Sequence, residues 1–115
     1  MSRDPDCPFC RIASGEVPAD VVERTDRVVA FRDLNPQAPV HVLVVPVDHH
    51  TDVGALAAAD DALLGEVVRT ADAVAARESG RQYRLVWNTG PQAGQSVAHV
   101  HAHVLGGRPL SWPPG

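Results

Sequence analysis

Three histidines occupy alternate positions near the end of this chain, in the run His99-Val100-His101-Ala102-His103-Val104-Leu105. A strand has a period of two, so the spacing predicts three imidazoles on one face, with Val100, Ala102 and Val104 on the other. Successive same-face side chains then stand roughly 6.5–7 Å apart. A buried imidazole must find partners for its ring nitrogens, so three in a row fill a core poorly and point to chemistry instead. The apolar face needs a covering layer. A fold that suits this segment buries one side of the histidine strand and leaves the other for a ligand.

The rest of the pattern supplies that layer. Residues 40–47 are almost continuously apolar, as expected of a central strand buried on both faces. Shorter strand signals lie at 21–22 and 28–32, joined around Thr25-Asp26 as a hairpin, and at 82–88; the last strand is predicted over 98–105. Over 60–78 the period becomes helical. Leu63, Val67, Ala71 and Val74 share one face, Asp60 and Asp61 suit the N-terminus, and Gly80 is a natural stop. A short helix is predicted over 7–14, with Pro8 in its first turn and Gly15 ending it. The order β-β-β-α-β-β predicts an α+β fold, an antiparallel five-stranded sheet with one long helix packed on it plus a short N-terminal helix. At 115 residues the chain is expected to be a single domain over 1–115, with 1–6 disordered and 106–115 a C-terminal tail.

Charge excludes some partners. Ten basic residues, all arginine and scattered, face fourteen acidic ones, for a net charge of −4, which argues against a nucleic-acid binder. No apolar run approaches the ~18–20 residues that span a bilayer, so no membrane association is expected. The opening residues lack the apolar core of a secretory signal, and the cytoplasm is the expected compartment.

Two chemistries could use the histidine array. Imidazoles two apart on a strand can chelate zinc and activate a water. Alternatively, one imidazole attacks phosphorus, a neighbour handles protons, and amides of the preceding Gly-containing loop hold phosphate oxygens. The spacing alone does not choose. The cysteines, Cys7-Pro8-Phe9-Cys10, have the spacing of half a zinc site. A redox reading of the same pair would need a strand just before it, and none is predicted there.

The run from His99 to Leu105 resembles the signature of the histidine triad (HIT) family of nucleotide-binding proteins. Phe9, Val17-Pro18, Ala30-Phe31, Asp33, Pro36-Gln37-Ala38-Pro39, His41, Pro46, Asn88, Gly94-Gln95-Ser96 and Trp112-Pro113-Pro114-Gly115 are similar to its nucleoside phosphoramidase branch. The resemblance implies a hydrolase that cleaves purine nucleoside 5′-phosphoramidates, or related AMP-linked compounds, to the monophosphate through a covalent nucleotidyl-histidine. It implies that His101 is the nucleophile, with His99, His103 and Ser96 completing the catalytic set. Nucleotide binding is implied for Phe9, Val17, Phe31, Arg32, Asp33, Leu34, Asn88, Gly94, Gln95, Ser96, His101 and His103, with Asp33 on the ribose hydroxyls. Arg32 departs from the pattern, since several relatives carry His there. A structural zinc on Cys7, Cys10, His49 and His99 is implied, His50 being the one-residue alternative to His49; no catalytic metal is. The implied partners are a purine nucleotide such as AMP or GMP and a second copy of the chain in a homodimer. The competing readings are a nucleotide sensor with vestigial turnover and a zinc-water hydrolase.

Overall fold

A computed structural model describes residues 3–115. The elements run α1 (Pro8–Ala13), β1 (Val21–Arg24), β2 (Val28–Arg32), β3 (Val40–Pro46), α2 (Val53–Ala59), α3 (Asp61–Ser79), β4 (Tyr83–Trp87), a 3-10 turn (Pro91–Ala93) and β5 (Ala102–Gly106). The five strands form one antiparallel sheet in the order β1-β2-β3-β5-β4. The α+β expectation holds.

Every residue of β3 is buried, as its unbroken apolar run requires. The strand's alternation sends Val42 and Val44 towards α3, where they meet Leu63, Val67, Ala71 and Val74. Each such fully buried aliphatic contributes roughly 1.5–3 kcal/mol relative to exposure. Leu43 and Val45 point the other way and pack with Val29, Phe31, Phe9 and the two cysteines of α1. Thus α3, with Leu56 of α2, covers one face. On the other face α1 is only six residues long, and part of the sheet stays accessible. A row in register across the sheet, Phe31 opposite Leu43 and Leu43 opposite His103, lies on that second face.

Helix α3 starts on Asp60, whose side chain accepts from the Leu63 N–H at 3.0 Å. It ends at Gly80 in the left-handed region, φ 61°, where a Cβ would be strained.

Two expectations need correction. Helix α2 was not anticipated, because Leu56 is its one fully buried side chain and its start depends on Asp52 accepting from the Ala55 N–H at 2.8 Å. The last strand begins at Ala102, not at residue 98. The Val100 N–H bonds to the His50 carbonyl at 2.7 Å rather than to a neighbouring strand, so 97–101 bends over the loop after β3. Of the three histidines, His103 alone sits on β5. At the N-terminus, Met1 and Ser2 of the segment expected to be disordered lie outside the described residues. Beyond them the chain makes a turn closed by the Cys7 N–H on the Asp4 carbonyl at 3.0 Å.

Candidate functional site

The open face of the sheet carries three adjoining features: a tetrad of Cys and His, a row of imidazoles, and an apolar cleft.

In the tetrad, Cys7 caps the N-terminus of α1, and Cys10 follows one turn later. Their sulfurs reach Nδ1 of His99 at 3.3 and 3.5 Å, and Cys10 Sγ reaches Nδ1 of His49 at 3.4 Å. All four donor atoms lie within 4.8 Å of one another. Sulfur and nitrogen ligands of a tetrahedral zinc, bound at about 2.3 and about 2.0 Å, stand about 3.5 Å apart, which matches these contacts. The tautomer also fits. Nε2 of His99 is 2.9 Å from the Pro46 carbonyl, which can only accept, so the proton is on Nε2 and the bare Nδ1 faces the sulfurs. His99 is fully buried, and burial, reinforced by its imidazole neighbours, pushes its pKa down to about 4. His49, not His50, supplies the fourth donor; His50 contributes the carbonyl that holds Val100.

The imidazole row is ordered by the same logic. Nδ1 of His101 is 2.8 Å from the His99 carbonyl, so Nδ1 carries the proton and Nε2 is bare. His101 is 6% exposed and meets the edge of Phe9 at 5.0 Å between centroids. At the start of β3, His41 accepts the Gln37 N–H on Nδ1 at 3.0 Å, which leaves its proton on Nε2. That N–H points to Nδ1 of His103 at 2.9 Å, with Asp33 Oδ2 at 3.4 Å. His103 therefore keeps its own proton on Nε2, and this buried N–H has no partner among the described residues. Burial, with His101 and His41 adding to it, lowers the His103 pKa to about 4; burial lowers that of His41 too, against the pull of Asp33. Asp33, His41 and His103 are also close enough to suggest a metal. The Gln37 N–H argues against it by keeping the His41 proton on the nitrogen that would have to bind.

The cleft, about 350 Å³, is lined by Phe9, Val17, Phe31, Arg32, Asp33, Leu34 and their neighbours. It is an apolar slot with an acidic rim. Asp33 holds the Asn35 N–H at 2.8 Å. Arg32 lines the cleft, but its guanidinium is bidentate on Glu78, 2.9 Å on each arm. Leu34 stands fully exposed at the edge.

The HIT domain description matches residues 14–110. The chain belongs to the HIT family. A HIT family hydrolase from Legionella pneumophila superposes with a TM-score of 0.91 at 43% identity, covering 96% of this chain and 100% of that one. A 14 kDa zinc-binding protein of Brassica juncea is 44% identical over 110 residues, 93% of this chain and 97% of the other. An Arabidopsis thaliana protein named adenylylsulfatase HINT1 is 44% identical over 111 residues, 93% of this chain and 75% of its own length.

The remaining sequence-predicted residues of the HIT chain sit in the loop before His99. Gly94 takes φ 93°, and a Cβ there would lie 3.7 Å from the Asn88 amide nitrogen. Gln95 is committed to the loop itself: its oxygen accepts the Gly90 N–H at 2.9 Å and its nitrogen donates to the Thr51 and Val97 carbonyls. It acts as a brace between loops, and its amide is not free for a ligand. Ser96 is exposed beside a hollow of about 300 Å³ that it shares with Cys7, His49 and Ala98. Sequence reasoning left His41 out of the site. Its signal was a polar residue alternating into the most buried strand, where a ring needs a partner.

Proposed function

We propose that this HIT protein is a hydrolase of purine nucleoside 5′-phosphoramidates, or of related AMP-linked compounds, acting through a nucleotidyl-histidine on His101. The observation that carries the reading is the pairing of tautomers. His101 offers a bare Nε2 beside His103, whose Nε2–H has no partner among the described residues. A nucleophile and a donor thus adjoin, rings 5.0 Å apart, next to a slot of nucleobase size.

The base of AMP or GMP enters the slot between Phe9, Val17, Phe31 and Leu34, with the ribose hydroxyls on Asp33. Asn88, Gly94 and Ser96 face the phosphate oxygens, where amide donors stabilise developing charge. The His101 Nε2 lone pair forms the bond to phosphorus, and the phosphorus–nitrogen bond breaks. Its Nδ1–H stays on the His99 carbonyl. The His103 Nε2–H hydrogen-bonds the departing amine, which takes its proton from solvent. Water then attacks phosphorus, the bond from phosphorus to His101 Nε2 breaks, the water's proton passes to solvent, and the monophosphate leaves.

Zinc on Cys7, Cys10, His49 and His99 would tie α1 to the segment bearing His101; with four protein ligands it has no open position for substrate. The name of the Brassica relative supports zinc, and those of the Arabidopsis and Legionella relatives support a hydrolase. The protein acts as a cytoplasmic homodimer, with Trp112, four-fifths exposed, available to a second copy.

The test is adenosine 5′-phosphoramidate as substrate, with AMP measured and a rapid quench for an adduct on His101. Turnover lost in His101→Ala while AMP still binds supports the mechanism. Binding without turnover in the native protein indicates a sensor, and metal-dependent turnover with no adduct indicates a zinc-water hydrolase.

A further inference from the structure

The start of β5 at Ala102 has a mechanical consequence. His103 lies on the strand, but His99 and His101 lie in the bend before it. The ladder of the sheet does not fix their backbone. A main-chain tie in that stretch is the Val100 N–H on the His50 carbonyl. Yet the His99 carbonyl is the group that sets the tautomer of His101. The placing of that carbonyl depends on how the His99 side chain is held.

It is held on both nitrogens. Cys7 and Cys10 meet Nδ1, and Pro46 at the end of β3 meets Nε2–H. One of the two residues between the cysteines completes the arrangement. Phe9 puts its ring edge-on to His99 at 5.9 Å and to His101 at 5.0 Å, and is itself backed by Phe31 at 5.6 Å. Four consecutive residues, Cys7-Pro8-Phe9-Cys10, therefore grip both the residue that orients His101 and the His101 ring.

We propose that Cys7, Cys10 and Phe9 are positioning residues for His101, and that metal bound at the tetrad holds His101 in one tautomer through the His99 carbonyl. The inference rests on the reading of His101 as nucleophile only for its consequence in rate. The metal touches no substrate. Two sulfurs without a metal still crowd Nδ1 of His99, but a thiol contact is weak and soft, whereas a coordinated imidazole is fixed in plane and angle.

The experiment uses full-length protein labelled with ¹⁵N at histidine, loaded with zinc or treated with EDTA. Long-range ¹H–¹⁵N spectra report which ring nitrogen carries the proton. Zinc-loaded protein should show His101 as a single Nδ1–H tautomer. EDTA, or His49→Ala, should bring in the Nε2–H form and speed exchange of the Nδ1 proton, while His49→Cys, which restores a fourth donor, should bring the single tautomer back. Phe9→Leu, with the four donors intact, should broaden the His101 signals without releasing zinc. Single-turnover cleavage should fall about 10–100-fold on metal removal, with AMP affinity unchanged within about twofold. If metal-free protein does not stay folded, cadmium replaces zinc. Its longer bonds displace His99 in a folded chain and should move the His101 Nδ1 proton resonance. A His101 spectrum indifferent to EDTA, or to cadmium where that arm is used, overturns the proposal. The two readings fail separately. A metal-sensitive His101 tautomer with no cleavage of the phosphoramidate sinks the hydrolase and leaves the positioning intact. Cleavage with an unresponsive tautomer does the reverse.

Discussion

Replacing His103 by Gln tests whether the neutral imidazole row makes the fold acid-sensitive. In the folded protein burial, with two neighbouring imidazoles, pushes the His103 pKa down to about 4. In the unfolded chain it reverts to an ordinary histidine near 6.5. The folded pKa is the lower one, so between these values the unfolded state binds more protons and stability rises with pH. The contribution is fully present above about 6.5 and is lost as pH falls towards about 4. Between pH 7 and pH 5 the two titrations differ by about 2 kcal/mol, and partial solvent access to the ring reduces this to about 1–2 kcal/mol. Gln does not titrate, and its carbonyl oxygen can take the His41 Nε2–H that Nδ1 now accepts. The assay is urea unfolding of both proteins at pH 7 and pH 5, with zinc held at one saturating concentration. His99 contributes to both alike, and His41, which touches His103, is affected with it, so the difference of differences reads the His41–His103 pair. The native protein should lose about 1–2 kcal/mol more than His103→Gln over that interval. Equal losses in the two proteins would show that His103 is not held neutral by its surroundings, and the tautomer argument for its Nε2–H would fall with it.

Three further outcomes are expected. His101→Ala should lower kcat by about three orders of magnitude or more, as removal of a nucleophile does, with AMP binding retained by calorimetry. Leu56→Ala, emptying the one fully buried position of α2, should cost about 3 kcal/mol in urea unfolding and leave the imidazole spectra unchanged. Light scattering at micromolar concentration should find a particle of two chains rather than one.

Much of the fold was legible because it follows from burial alone. The run over 40–47 has no polar face, so its only stable place is mid-sheet, and the period of 3.6 from Leu63 to Val74 has one partner to pack against. Helix α2 was not legible because seven residues with a single large apolar side chain carry no period, and a cap at Asp52 decides them. His41 and His103 are 62 positions apart and meet only through the pairing of β3 with β5. No local pattern encodes that contact. His49 and His50 differ by one place, and the choice between them is made by which one turns towards Cys10.

The alternation of the triad was right as a pattern but misleading as a reason. Period two suggested that one strand presents three equivalent imidazoles. The backbone instead joins the ladder only at Ala102, and the three rings take up different tasks through different partners: His99 with sulfur and the Pro46 carbonyl, His101 with the His99 carbonyl, His103 with His41. A regular strand places side chains about 6.5–7 Å apart in fixed directions. Adjoining rings here lie 5.0 Å apart, His49 on His99 and His101 on His103. Departing from the strand lets one nitrogen of each ring find an acceptor or a donor of its own. Each tautomer is then set by a neighbour, and the ring of His101, with its bare Nε2, comes to lie 5.0 Å from the ring of His103.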